Sequence, residues 1–363
     1  MIRTLRLENY RGFETYELRD LARVNLLVGP NNCGKTSVLE AVELLVSRGD
    51  PSILIESARR RREFHVGEDG RRHTRYPLRH HFHGHEFGLG ARLGISSDGG
   101  FGWVRMRIEE AEPSESEDLF EIISRTTQPL ALRIERAHEE SDIVVSLTEG
   151  GSLDRLSPTM PRMALGSSRL RLPQTQFVTA ESLQAGDMAG VWNQVVVQGR
   201  ESEVVEAMRI LRGDLHSIQF LTGDASGRSG VAGGIFLGFR AGAPRVPIGS
   251  HGDGTRRLLA LSLSLVRAAD GFLLIDEIDT GLHWTVMEEV WKLVAEAAVK
   301  SSIQVFATTH SLDCIMGLAS LLRNRPDLAD AVSVQKIERE LDHSVSFDAQ
   351  ATVAADDLSI ELR

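Results

Sequence analysis

Two rhythms of apolar residues run along the chain. Alternation opens it: IRTLRLENY and ETYELRDLARVNLLV place apolar side chains near every second position, the period of a half-buried strand. They read as a hairpin leading into the apolar run at residues 24–28. The same alternation marks GWVRMRIE, LALRIER and DIVVSL between residues 91 and 150, broken by the acidic loop EEAEPSESEDLFE, and returns in AVSVQKIERE and HSVSFDA. Elsewhere the apolar runs are continuous, in VNLLV, GFLLI and SIQVFA, as expected of parallel strands buried on both faces. Helical spacing follows the first of these in KTSVLEAVELL. It recurs in TRRLLALSLSL, in SLDCIMGLASLLRN and across residues 181–216, which read as a two-helix lid. The pattern predicts an α/β protein in three segments: 1–48, an inserted region of strands and helices at 49–240, and 241–363.

The loop between the first continuous run and its helix fits G-x-x-x-x-G-K-[ST] from Gly29 to Thr36. Gly29 and Gly34 let the backbone turn its N–H groups toward phosphates, and the helix N-terminus adds partial positive charge. Asn31, Asn32, Cys33 and Ser37 complete the candidate contact surface for ATP. Lys35 is positioned by the motif to reach the β- and γ-phosphates, and Thr36 to ligate Mg2+.

Downstream, GFLLIDEIDTGLH ends an apolar strand in Asp276 and Glu277, acids at a carboxyl strand end, where α/β sheets carry their chemistry. Asp276 suits Mg2+, and Glu277 suits the polarising of an attacking water. SIQVFATTHS ends the next strand in Thr309, His310 and Ser311, one crossover later, which would set His310 by the γ-phosphate. Before both stands PIGSHGDGTRRLLAL, with Ser250 and Gly252 at the mouth of a helix. Such an end suits an anion, although Ser250 or Asp253 could equally serve as an ordinary cap.

The order P-loop, Ser250-x-Gly252, acidic strand, His strand resembles the ABC-type ATPase head, including structural-maintenance-of-chromosomes and RecF-like relatives. LRLENYRGFETYEL, GPNNCGKTSVLEAVELL, GSHGDGTRRLLALSL, LLIDEIDTGLHW and FATTHS are similar to the OLD-like ATPases in particular. The resemblance implies a two-lobed head with a mixed sheet flanked by helices. It also implies a homodimer or higher homo-oligomer in which a Ser-Gly-Gly signature caps the partner's γ-phosphate. Here Gly249, His251 and Asp253 depart from L-S-G-G-Q/E. Asp279 and Gly281 match the interface-crossing D-loop, and His283 is either part of it or an ordinary helix-start residue. Arg11 is a candidate nucleotide contact or a plain surface-turn residue. Gln174 or Gln176 is a candidate for the glutamine sent to Mg2+, a plain strand being the alternative. The resemblance points to a DNA-directed effector in repair or anti-phage defence. Only 53 residues follow His310, too few for a fused Toprim nuclease, so a nuclease would be a separate Toprim-like chain.

Composition narrows this further. The 363 residues are 42% hydrophobic and 25% charged, which suits a soluble globular protein. Two cysteines make no disulfide framework, and no signal peptide or long apolar run is evident. The expectation is therefore a cytoplasmic protein without a membrane partner. A net charge of −10 argues against a protein coated in nucleic acid, but leaves room for a local basic patch. Arg59–Glu86 is such a patch: eight Arg and six His against four acids, interleaved with Phe64, Tyr76 and Phe82, a candidate DNA surface or else a solvated loop or a face for an acidic partner. Within it HHFHGH would put His81, His83 and His85 on one face of a strand. Zinc, however, wants about four ligands in tetrahedral array. Sustained heptads are absent, so a long coiled-coil arm is not expected.

Overall fold

The computed structural model describes residues 1–66, 74–111, 129–148, 150–154, 172–183, 185–221, 234–239 and 244–362. The chain forms two compact units that interleave along the sequence. The first takes Met1–Asp20, Asn32–Leu172 and Glu338–Ser344. The second takes Leu21–Asn31, Pro173–Ile337 and Val345–Arg363. The sequence reading divides the chain instead into three consecutive segments. The predicted helix pair, Ala185–Val197 and Glu201–Met208, belongs to the second unit. Most of the acidic loop and residues 67–73 of the basic segment lie outside the described residues.

The first unit is built on a six-stranded antiparallel sheet. Its order is Phe13–Leu18, Leu5–Tyr10, Arg92–Ser97, Trp103–Glu110, Leu130–Arg136, Ile143–Ser146. The opening hairpin pairs as expected, but residues 14–28 are not one strand. Asp20 takes a left-handed φ of 56°, and Val24–Val28 joins the sheet of the second unit. The helix Lys35–Val46 packs on the strands Arg92–Ser97 and Trp103–Glu110, with Glu40 and Glu43 buried along it. The histidine-rich stretch is not a strand. Gly84 and His85 have φ of 65° and 58°, which no extended strand allows, and Leu78–His81 and His83–His85 are two short 3-10 turns.

Those buried acids account for Arg11 and for two arginines of the basic segment. Arg11 Nε lies 2.8 Å from Glu40 Oε2, and Arg61 Nε donates to Glu40 Oε1 at 2.8 Å. Arg11 also donates to Ser57 Oγ at 2.8 Å, and Arg60 pairs with Glu43. Arg59 bonds the Tyr76 hydroxyl at 2.9 Å. Tyr76 and Phe82, expected as stacking faces for bases, are buried. Arg59, Arg60 and Arg61 thus have structural partners here, and Arg11 is buried rather than presented by a surface turn. Burial pushes the Glu40 carboxyl up, but the guanidinium groups of Arg11 and Arg61 outweigh it and hold it below the usual carboxylate range.

The second unit carries a six-stranded sheet ordered Thr175–Val178, Phe272–Ile275, Gln304–Thr308, Val24–Val28, Val332–Lys336, Val345–Phe347. All neighbours pair in parallel except the last, which is antiparallel. The continuous apolar runs are its inner strands, buried throughout as predicted. Leu258, Leu261 and Val266 of the helix Asp253–Arg267 and Val290, Trp291 and Val294 of Met287–Lys300 join them in one core. A helix at Ala349–Asp357, which alanine-rich AQATVAADD did not announce, follows the last strand.

The pair at the centre of the first unit gives a stability prediction. Arg11→Met leaves a buried carboxylate short of one partner and should lower unfolding stability by about 3–5 kcal/mol, measured by urea denaturation. Because the Glu40 pKa is depressed on folding, the pair's contribution is present above the unfolded value of about 4.3 and is lost as pH falls through the folded one. The gap between wild type and variant should therefore be constant near neutrality and close only in acid.

Candidate nucleotide-binding site

Parallel pairing decides what meets at one edge of the second unit's sheet. Ile275 is in register with Ala307, and Ala307 and Thr308 with Leu26 and Leu27, so three strands end at one level. Their next residues are Asp276, Thr309 and, after Val28, Gly29. The sheet thus brings Gly29, Asp276–Glu277 and Thr309–His310 to its carboxyl edge, where open α/β sheets bind ligands.

The P-loop starts in the second unit and ends in the first. Gly29, at φ 140°, leaves the strand; Pro30, Asn31 and Asn32 are exposed, and Asn32 is left-handed at φ 62°. Cys33 is buried. Gly34, at φ 107°, occupies the N-cap of Lys35–Val46 with no side-chain cap, so no side chain competes for the helix's first N–H groups. A Cβ on Gly34 would run into the Phe13 ring, which explains the glycine. Lys35 Nζ stands 3.9 Å from Cys33 Sγ, and Lys35 and Thr36 are half-buried. Ser37 is different: it is buried and its Oγ accepts from Arg61 at 3.1 Å, so its side chain serves the first unit's ion-pair network.

At the acidic strand end one hydroxyl organises both carboxylate residues. Thr308 Oγ1 donates to Asp276 Oδ1 at 2.7 Å and accepts from the Glu277 N–H at 2.8 Å. Glu277 is held at φ 49°, a left-handed conformation that costs a non-glycine residue about 1–3 kcal/mol and gathers at functional sites. Its carboxylate meets the Thr280 hydroxyl at 3.1 Å and His310 Nδ1 at 3.6 Å. Thr309 Oγ1 donates to Asp279 Oδ1 at 2.6 Å, tying the D-loop position to the His strand. His283 caps the 3-10 turn Trp284–Val286 through Thr285, an ordinary helix-start role.

Ser250 is exposed in the turn Ile248–His251. Neither it nor Asp253 caps the following helix: the N-cap is Gly252, at φ 81°, with no side-chain hydrogen bond. His251 is turned aside, 3.1 Å from Arg212 Nη1 and edge-on to Phe239. The two glutamines do not reach the carboxyl edge. Gln174 precedes the strand Thr175–Val178, its backbone carbonyl accepting from the Phe272 N–H at 2.8 Å, and Gln176, in register with Leu273, is the strand's second residue. Among the described residues no group of three or more His, Cys, Asp or Glu is arranged to hold a metal. Mg2+ asks for less: a hydroxyl, a carboxylate and phosphate oxygens, and Thr36 and Asp276 are donors of that all-oxygen kind. Thr308, Thr280 and Arg257 were missed as site residues. Thr308 and Arg257 border apolar runs in FATTHS and TRRLL, while Thr280 stands in the polar turn DEIDTG with no such signal.

The chain belongs to the family described as "AAA domain, putative AbiEii toxin, Type IV TA system", whose model matches residues 24–315. It has the P-loop NTPase α/β fold, with a mixed sheet flanked by helices. Over 47 residues it is 40% identical to Uncharacterized protein MJECL10 of Methanocaldococcus jannaschii, a match spanning 13% of this chain and 22% of that protein. Among solved structures it is similar to an SmcHead bound to the C-winged helix domain of ScpA (TM-score 0.49, 14% identity, 96% of this chain and 97% of that one). It is also similar to the SMC head domain from Thermotoga maritima (0.40, 12%, 96% and 98%). The Smc head derived from Pyrococcus furiosus, bound to the C-terminal domain of ScpA, gives 0.46, 11%, 99% and 99%. The fold assignment rests on the strand order and the family match. Among the described residues no helix is long and apolar enough to cross a membrane.

The hydroxyl shared by Asp276 and Glu277 can be tested by itself. Thr308→Val keeps the shape and removes one donor and one acceptor in a buried site, so unfolding stability should fall by about 1–3 kcal/mol. An unchanged urea midpoint would show that the two groups find other partners.

Proposed function

We propose that the chain binds and hydrolyses ATP as a homodimer or higher homo-oligomer. The observation that carries this is the convergence of Gly29, Asp276, Glu277 and His310 at one sheet edge, with a P-loop continuing from Gly29. Lys35 neutralises the β- and γ-phosphates, and the N–H groups from Gly29 through Asn31, Asn32, Cys33 and Gly34 cradle them. Thr36 and Asp276 hold Mg2+, which when bound spreads the phosphate charge. Glu277 polarises the attacking water, and His310, against its carboxylate, orients the γ-phosphate end. Ser250 and Gly252, on a helix end without a side-chain cap, serve the nucleotide of the partner protomer, with Asp279 beside that interface. The closed dimer then controls a DNA-directed effector in repair or anti-phage defence, in the cytoplasm, with a Toprim-like nuclease as a separate chain. That setting is supported by the OLD-like and RecF-like resemblance of the motifs. The described part of Arg59–Glu86, with Tyr76 and Phe82 buried and Arg59, Arg60 and Arg61 paired within the chain, gives it no support.

Three substitutions separate the steps. Lys35→Ala should weaken ATP binding by about 100-fold or more, since it removes the phosphate counter-charge. Glu277→Gln should keep binding while slowing turnover by about 10²–10⁴-fold, and with Mg-ATP its mass by light scattering should double. Ser250→Arg should remain monomeric with ATP while binding it normally; a dimer of this variant would exclude the trans role of the signature.

A further inference from the structure

The helix Asp253–Arg267 grips the acidic turn at two points. Gly254 and Arg257, three residues apart on one face, both land on the segment Asp276–Gly281. A Cβ on Gly254 would lie 2.6 Å from the Gly281 carbonyl oxygen, so helix and D-loop touch backbone to backbone. Arg257 is 2% exposed and lies beneath the turn. Its Nη2 donates to the carbonyls of Asp276 and Glu277 at 2.8 Å each, and its Nη1 to that of Thr179, just past the strand Thr175–Val178. Burial lowers its pKa to about 10, against the pull of Asp276, Asp279 and Glu277. A guanidinium is an expensive group to bury for three backbone carbonyls unless the planar fork is needed to hold them in one geometry.

What it holds is the left-handed residue. Glu277 is fixed through its N–H by Thr308 and through its carbonyl by Arg257. Arg257 belongs to the same rigid helix whose first residues follow Ser250 and Gly252. Accepting the ATPase reading above, on which this rests, we propose that Arg257 is a positioning residue that couples the signature end of its helix to the turn presenting Glu277. A helix end drawn toward the partner's nucleotide shifts Gly254 and Arg257 together, and with them the backbone of Glu277. In a two-site dimer each protomer's signature serves one site and its Glu277 the other, so Arg257 passes occupancy from site to site.

The test is Arg257→Lys in the full chain, which keeps the charge but cannot span three carbonyls. We expect kcat to fall by about tenfold or more with ATP affinity within about twofold of wild type, the split that marks positioning rather than binding. The Hill coefficient for ATP should drop to about one, and amide exchange across residues 277–282 should quicken by about tenfold in the nucleotide-free protein. Gly254→Ala, which pushes on the other end of the joint, should lower kcat and cooperativity in the same direction, and it decides the matter if Arg257→Lys does not fold. Unchanged kcat and cooperativity would overturn the coupling, and faster exchange without a kinetic effect would reduce Arg257 to a structural role. If wild type itself fails to hydrolyse ATP, the ATPase reading falls. The clamp is then judged by exchange alone, and unchanged exchange across 277–282 overturns it.

Discussion

The parallel register of Val24–Val28, Gln304–Thr308 and Phe272–Ile275 is the constraint from which the candidate site follows. Parallel neighbours end on the same side, so each strand delivers its last residues to one edge without further instruction. A slip of one residue would turn every side chain to the opposite face of the sheet, against packing shaped for another residue. Here the register is secured because all three are buried along their whole length. Thr308 is where that apolar requirement meets the chemistry. It is the last residue of its strand and fully buried, and its hydroxyl is spent on Asp276 and the Glu277 N–H.

Buried charge is used in two different ways in the two units. In the first, Arg11 and Arg61 meet the carboxylate of Glu40, so opposite charges offset each other's desolvation beside the helix that follows the P-loop. In the second, Arg257 hydrogen-bonds only carbonyl oxygens, and the acids that favour its charge act through space. The first arrangement secures a helix against a neighbouring one. The second fixes backbone, including a residue in a conformation that local energetics disfavour.

Much of this was legible in the sequence, for reasons that differ by element. Continuous apolar runs ending in polar residues announced the inner strands and their polar carboxyl ends, because burial on both faces leaves no other composition. The P-loop was legible from its glycine spacing, and Gly34 indeed stands at φ 107° against the Phe13 ring, where a side chain would be strained. Two readings failed where tertiary contacts override local pattern. The alternating histidines suggested a strand, but positive φ at Gly84 and His85 coils them into turns. Arg11 and the arginines at 59–61 read as surface charge, since nothing local reveals that Glu40 and Glu43 lie buried on a helix beside them. Gln174 and Gln176 stood between a resemblance-based Mg2+ glutamine and a plain strand, and only the parallel pairing decides for the strand. Arg257 was invisible for the same reason, its partners being 78, 19 and 20 residues away.

The departures from the signature pattern can now be sorted by what each position must do. Where the pattern has its first glycine, this chain has His251, and the ring is accommodated by Arg212 and Phe239 of its own unit. Gly252 is retained where φ is 81°, a value that side chains resist, and Gly254 stands where a Cβ would strike the Gly281 carbonyl. Asp253, in the first turn, carries the charge that a helix N-terminus favours, though it competes electrostatically with any phosphate brought there. Gly252 and Gly254 thus stand where the backbone itself calls for glycine, while His251 and Asp253 differ from the pattern that the resemblance implies. The contacts of this helix with Gly281 and Glu277 run through Gly254 and Arg257, so they do not depend on which side chains stand at 251 and 253.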